Sequence, residues 1–210
     1  MRGLANPDSK IFSLLNKFTL LMELNVLVLL CSLPVVTIGA AQSSMHAVLL
    51  KIYRNEEKRV TGDFFAAMKS NLQNGTILWL AFLGYVGLLA GLWILAAYVI
   101  PEYVVYVVFG LLVAAVLGML ALNWALILQS RYVYTPGQCL KNALLAWMQY
   151  PGSTFVYLVS MAIPLALCVV PQVWPLFLLV GVTLSHMIST PLYSRVFDQM
   201  EGVPIQIPEL

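Results

Sequence analysis

The chain has 210 residues, 61% of them hydrophobic and only 10% charged, with a mean hydropathy of +0.88. Soluble domains carry about a quarter charged residues, and a 23.3 kDa globule cannot hide this much apolar surface from water, so the excess must face lipid. The net charge of +2, spread over scattered Lys and Arg, excludes a nucleic-acid partner, and the fold class is all-α, a polytopic transmembrane helix bundle whose first partner is the lipid bilayer.

A hydrocarbon core about 30 Å thick needs roughly 20 apolar residues per helix. Residues 1–17, with Arg2, Lys10 and Lys17, form a cytoplasmic N-terminal segment, and residues 18–33 the first crossing. A secretory signal ending at Gly39-Ala40-Ala41 is a competing reading, opposed by Glu23 and Asn25 inside the apolar run. The next stretch, Gly39 to Tyr53, is apolar but reaches only about 22 Å, so length alone leaves five or six crossings open.

Further along, Asp63 caps a link helix with Phe64, Phe65, Met68 and Leu72 on one face. Residues 75–99 and 103–130 are long crossings, followed by a second link. There Thr135-Pro136-Gly137-Gln138 fits a capping box with proline in the first turn, and Leu140, Ala143, Leu144 and Trp147 form a stripe. Residues 154–170 and 173–194 make the last hairpin before the tail. The single transmembrane domain, 1–210, thus divides at 18–99, 100–153 and 154–210.

Charge decides between five and six. Lys and Arg gather on the cytoplasmic side, and the turns at Pro101-Glu102 and Pro171-Gln172 carry no basic residue. Six crossings place all eleven basic residues and both termini inside; five strand Arg2, Lys10 and Lys17 outside. Six crossings then read as three tandem hairpins, each turning outside at a proline: Pro34, Pro101 and Pro171. Similar lead-ins before residues 75 and 154 agree with a repeat.

Small residues at four-residue spacing, Gly87 and Gly91, then Gly110, Ala114 and Gly118, predict close packing of the two long helices. Trp124, Tyr132 and Tyr193 at the inner boundary, with Tyr98, Tyr103 and Trp174 at the outer one, read as interfacial belts. The oligomeric state is open.

Ionisable residues within a membrane are the first candidates for function. Counted from the external turns, His186 lies about 21 Å deep and Glu23 about 16 Å. They form a candidate polar pair, which Asn25 or Asn123 can join; the bland reading of all four is a structural one, hydrogen-bonding between helices. The second helix, with Gln42, Ser43, Ser44 and His46, is the most polar and is expected inside the bundle. Cys31, Cys139 and Cys168 lie far apart and read as packing residues. Nucleotide-loop, HExxH zinc and GxSxG patterns are all missing, so the expectation is a protein that is not an enzyme and has no cofactor or metal site.

The run Asn25-Val26-Leu27 to Pro34-Val35-Val36-Thr37-Ile38-Gly39 resembles the signature of the YesL-like family of bacterial membrane proteins. So do Lys51-Ile52-Tyr53-Arg54 and the stretch from Asp63-Phe64-Phe65 to Asn71. Val28 and Ala40 depart from that pattern, standing where tryptophan and a second proline are usual. The resemblance implies a plasma-membrane protein of Gram-positive type, often encoded beside carbohydrate uptake and degradation genes, with a sugar transporter or other membrane protein as partner. It assigns no catalytic residue. Its motif residues are Asn25, Pro34, Thr37, Gly39, Phe64, Phe65 and Asn71.

Overall fold

The computed structural model describes residues 10–169, 172 and 174–202. Its elements are α1 (Lys10–Ser32), a 3-10 turn (Val35–Thr37), α2 (Ile38–Arg54), α3 (Val60–Val99), a second 3-10 turn (Pro101–Tyr103) and α4 (Val104–Arg131). After these come α5 (Pro136–Gln149), α6 (Pro151–Val169), the single turn α7 (Trp174–Leu176), a π-helical turn (Phe177–Gly181) and α8 (Val182–Glu201). No strand occurs among the described residues. The fold is a polytopic helical bundle, and five helices are long and apolar enough to cross a membrane: Ser13–Ser32, Val35–Arg54, Val60–Val99, Pro101–Arg131 and Phe177–Glu201.

Burial runs opposite to what water would impose. The two most apolar spans, in α3 and α4, have 6% and 11% of their most apolar windows buried, whereas the two least apolar, in α2 and α8, have 61% and 50%. A protein that exposes its greasiest helices and wraps its polar ones is built for a hydrocarbon solvent.

Local chemistry explains the joints. Pro34 starts the first 3-10 turn at φ −72°, and Thr37 Oγ1 donates to the Cys31 and Pro34 carbonyls (2.6 and 2.8 Å), satisfying acceptors that the end of α1 leaves open. Helix α2 ends at Asn55 in the left-handed region (φ 53°), with Lys51 and Arg54 in its last turn facing the negative end of the helix dipole. At α5, Thr135 and Gln138 make the reciprocal capping bonds (3.4 and 3.1 Å). On the predicted stripe, however, only Ala143 is buried together with Cys139 and Ala146; Leu140 and Leu144 are exposed.

The first link helix and the third crossing are not separate: α3 runs unbroken through 40 residues, roughly 60 Å. Asp63 lies inside its first turn, and Arg59 is the residue that caps it. Asn74-Gly75 permits the helix to continue because glycine only weakens it. The matching lead-in at Tyr150-Pro151 breaks the chain, since proline removes an N–H and disfavours helical backbone before it.

This long helix gives the molecule two levels. Gly39, at the start of α2, faces Gly75 so closely that a Cβ on Gly39 would fall 2.7 Å from the Trp79 Cβ, and one on Gly75 2.8 Å from the Ala40 Cα. Beyond Gly75, α3 continues about 36 Å to Val99 with α4 as its companion. The Pro34 and Pro101 turns therefore sit at different levels along α3, not at one level as three equivalent hairpins require. Pro171 lies outside the described residues.

The α3–α4 packing is the predicted one only in part. Gly87, Gly91 and Gly110 have nothing near them, so the GxxxG face is uncovered. The two helices are instead joined by Tyr85, whose hydroxyl donates to the Ala114 carbonyl (2.8 Å) while its ring lies over Gly118, close enough that an added Cβ there would meet the ring Cδ1 at 3.0 Å.

Two buried clusters hold the bundle together. Leu24, Val28, Met45, Leu49, Val60 and Phe64 join α1, α2 and α3. Trp124, Leu126, Ile127, Tyr157, Tyr193 and Phe197 join α4, α6 and α8. Trp124 and Tyr193 are thus fully buried core residues and not members of an interfacial belt, whereas Tyr98, Tyr103 and Trp174 are exposed. Ion pairs tie helix ends together: Lys51 to Asp63 (2.5 Å), Arg54 to Asp198 (2.5 Å) and Arg131 to Glu201 (2.9 Å).

Candidate functional site

The expected Glu23–His186 pair does not form. Glu23 is exposed on α1, and its carboxylate accepts from the Thr61 amide (3.2 Å) and the Thr61 hydroxyl. It acts as a cap supplied by one helix to the positive N-terminus of another, α3. Depth counting placed Glu23 and His186 at similar heights, but height says nothing about which side of a helix a residue occupies.

Asn25, two residues on, points the other way and is fully buried. Its Nδ2 donates to the Phe177 and Leu178 carbonyls (3.2 and 2.8 Å), and its Oδ1 accepts from the Val182 and Thr183 amides (3.1 Å each). A π-helical turn shifts the backbone ladder and leaves such groups without their usual partners. One primary amide meets both needs, and Thr183 Oγ1 adds a bond to the Leu21 carbonyl (2.9 Å). Asn123 is buried on α4 and donates to the Met119 carbonyl in its own helix (2.9 Å), while its Oδ1 has no hydrogen-bond partner among the described residues.

His186 instead meets His46. Their ring centres are 5.1 Å apart with perpendicular planes. Tyr193 lies 5.8 Å from His46, and Tyr157 lies 6.2 Å from each histidine. Trp124 stacks obliquely on Tyr157 at 6.0 Å and donates its indole N–H to Thr154 (3.0 Å). Four helices deliver these groups: α2 brings His46, α4 Trp124, α6 Tyr157, and α8 both His186 and Tyr193. On α8 the positions 186, 190 and 193 share one face, and Thr190 hydrogen-bonds with the Tyr193 hydroxyl (3.1 Å).

Several polar atoms of the cluster lack protein partners among the described residues. The Tyr157 hydroxyl is 3.5 Å from His46 Nδ1. His46 Nε2, His186 Nδ1 and Ser43 Oγ are buried with no hydrogen-bond partner among the described residues. Gln42, also on α2, is half-buried. Buried polar atoms are nearly always paired, and His46 and His186 each have one unpartnered ring nitrogen among the described residues; Glu57 Oε2, Trp79 Nε1 and Asn123 Oδ1 are unpartnered elsewhere. No group of three His, Cys, Asp or Glu side chains converges among the described residues, and neither imidazole is hydrogen-bonded to a carboxylate among them.

Sequence reasoning reached His46, His186, Asn25 and Glu23 individually but missed Tyr157, and it read Trp124 and Tyr193 as lipid-interface residues where they are buried among the helices. The only usable signal was the 186–190–193 spacing on α8. Of the residues that carry the family resemblance, Asn25 binds the π-helical turn and α8, while others lie where α1, α2 and α3 meet. There Phe64 and Asn71 are buried, Phe65 is exposed with its ring against Phe64, and Gly39 abuts Gly75.

Residues 21–93 match the family model described as "Protein of unknown function, DUF624". No curated protein and no solved structure matches the chain. The matched region runs from α1 to the upper part of α3 and takes in His46 but not Tyr157, His186 or Tyr193.

Proposed function

We propose that this protein is a non-enzymatic, multi-pass protein of the plasma membrane, with both termini cytoplasmic. It acts as an accessory or assembly partner of another membrane protein. The tie to carbohydrate uptake, and the finer placement in the YesL-like family, rest on the resemblance of its N-terminal third. The observation that carries the accessory reading is Asn25: a buried amide that was a candidate to join the intramembrane polar pair has all of its bonding capacity committed to joining α1 to the last helix and the turn before it. Glu23 is similarly engaged in capping α3.

A second reading, a transport subunit that itself moves a small polar solute, draws on one observation, the orphan nitrogens of His46 and His186. The two separate in one pair of experiments. Affinity purification from the native membrane in mild detergent is expected to bring down a transporter, while the purified protein in liposomes moves no labelled oligosaccharide. Oligosaccharide uptake by the protein alone, abolished by Glu23→Gln, would sink the accessory reading.

A further inference from the structure

We infer that the groove where α5 meets α3 and α4 holds one acyl chain of an anionic phospholipid, whose phosphate is met by Lys141. The site rests on the chain's lying in a bilayer, and not on whether it is an accessory or a transport subunit.

The groove follows from side-chain size. On α3 and α4, Ala81, Gly118, Ala121 and Ala125 stand where larger residues would close the space, and Leu140 and Leu144 of α5 form the far wall. The cavity measures about 360 Å³ and runs along α4 from Leu117 to Ala125, a length of about 12 Å. Ala81, Leu117, Leu140 and Leu144 are exposed, so it opens onto the outer surface of the bundle. The Tyr85 hydroxyl is already committed to the Ala114 carbonyl (2.8 Å), and the other wall residues are apolar apart from the indole N–H of Trp147.

Size and charge select the occupant. The volume lies at the small-molecule end of binding sites, and a partner's helix, about 10–12 Å across with its side chains, would lie over the groove and not in it. An extended hydrocarbon chain enters and restores the dispersion contacts that a void forfeits. Such contacts are common to all lipids, so preference must come from the headgroup. At roughly 100° per residue, α5 buries Cys139, Ala143 and Ala146 and turns Leu140, Leu144 and Trp147 to the groove. Lys141 falls on the next side with the exposed Leu145 and Met148, and Gln138, Asn142 and Gln149 take the remaining one. That is the pattern of a helix lying in a membrane interface. Lys51, Arg54 and Arg131 are each held by a carboxylate, whereas Lys141 is exposed and makes no ion pair among the described residues. A lysine set among apolar side chains lays its stem along them and lifts its ammonium to the level of the phosphates. An anionic headgroup supplies there the charge that the protein does not.

The test titrates the full chain in detergent with phosphatidylglycerol and with phosphatidylcholine of the same acyl chains, and counts bound lipid by native mass spectrometry. One phosphatidylglycerol is expected to be retained, about fivefold more tightly than phosphatidylcholine. Lys141→Gln is expected to remove that preference and leave phosphatidylcholine binding unchanged. Ala81→Phe, which fills the groove from its exposed rim, is expected to weaken both about tenfold. One equivalent of phosphatidylglycerol with brominated acyl chains is expected to quench the fluorescence of the wild type but not of Trp147→Phe, a readout that stands even if Ala81→Phe fails to fold. Equal retention of the two lipids overturns the proposal, as does a preference untouched by Lys141→Gln or quenching that Trp147→Phe leaves unchanged. A second copy of the chain retained in place of lipid would make the groove a dimer seam and overturns it too.

Discussion

Gly39 and Gly75 stand backbone against backbone where α2 begins, and an added Cβ on either would lie within 3 Å of the facing chain. The contact sets how closely α2 can lie along the first half of α3, and with it the core of Met45, Leu49, Val60 and Phe64. Gly39→Val should therefore force the helices apart and cost about 2 kcal/mol or more, as overpacking of a tight core does. Gly91→Val, on a helix face with nothing near it, should stay within about 0.5 kcal/mol. Thermal unfolding in detergent measures both; equal losses would mean that the GxxxG face carries the packing after all.

Removing the Asn25 amide strands two carbonyls and two amides of the π-helical joint at once. With roughly 1–3 kcal/mol for each buried group left unpaired, Asn25→Leu is expected to lower stability by about 3 kcal/mol or more. Asn25→Asp, which keeps an acceptor but loses the donor, should be only partly better. Glu23→Gln keeps an oxygen near the Thr61 amide and should cost less than about 1 kcal/mol. A ranking in which Glu23→Gln is the most damaging of the three would contradict the capping role.

The thiol of Cys139 is fully buried on α5 and donates to Gln129 Oε1 (3.0 Å); burial pushes it up to about 11. Because the thiolate is the reactive form, a Cys31→Ser, Cys168→Ser protein should resist maleimide at pH 8 and react fully once unfolded in SDS. In the folded state its rate should rise about tenfold per pH unit up to that value. Rapid labelling at pH 8 would mean that α5 does not stay docked on α4.

The proposed placement of both termini on the inner face makes a labelling prediction. In a cysteine-free background, Ala5→Cys should react with an impermeant maleimide only after permeabilisation, and Glu102→Cys, in the turn between α3 and α4, in intact cells. The reverse pattern would invert the topology, and labelling at both positions in intact cells would point to an odd number of crossings.

What the sequence disclosed was governed by how local the physics is. The capping box at Thr135 needs four consecutive residues, and it is there. The lipid solvent needs only composition, and the burial pattern agrees. The His46–His186 contact depends on two helices 140 positions apart turning the right sides toward each other, which no spacing along one helix encodes. The small-residue spacings were right that α3 and α4 pack and right at Ala114 and Gly118, but not at Gly87, Gly91 and Gly110. Gly87 and Gly91 have the form of a packing motif, but a motif is used only where a neighbour comes within reach, and α4 meets α3 at Tyr85, two residues before Gly87 and on another side of the helix, through Ala114 and Gly118. Trp124 and Tyr193 misled because an aromatic close to the end of an apolar run has the same appearance whether it anchors at a headgroup or closes a core.

The amide of Asn25 also orders events in time. It belongs to the earliest-made helix, and the π-helical joint it completes belongs to the latest, some 150 residues behind it at the ribosome. Until the whole chain has been delivered to the bilayer, that amide has no lasting partner, and the last helix cannot settle into its offset shape without it. Truncation anywhere upstream of Phe177 should therefore leave more than a shorter protein: the opening helix itself would be left with an unanswered polar group in lipid, a mark by which membrane quality control can recognise an unfinished chain.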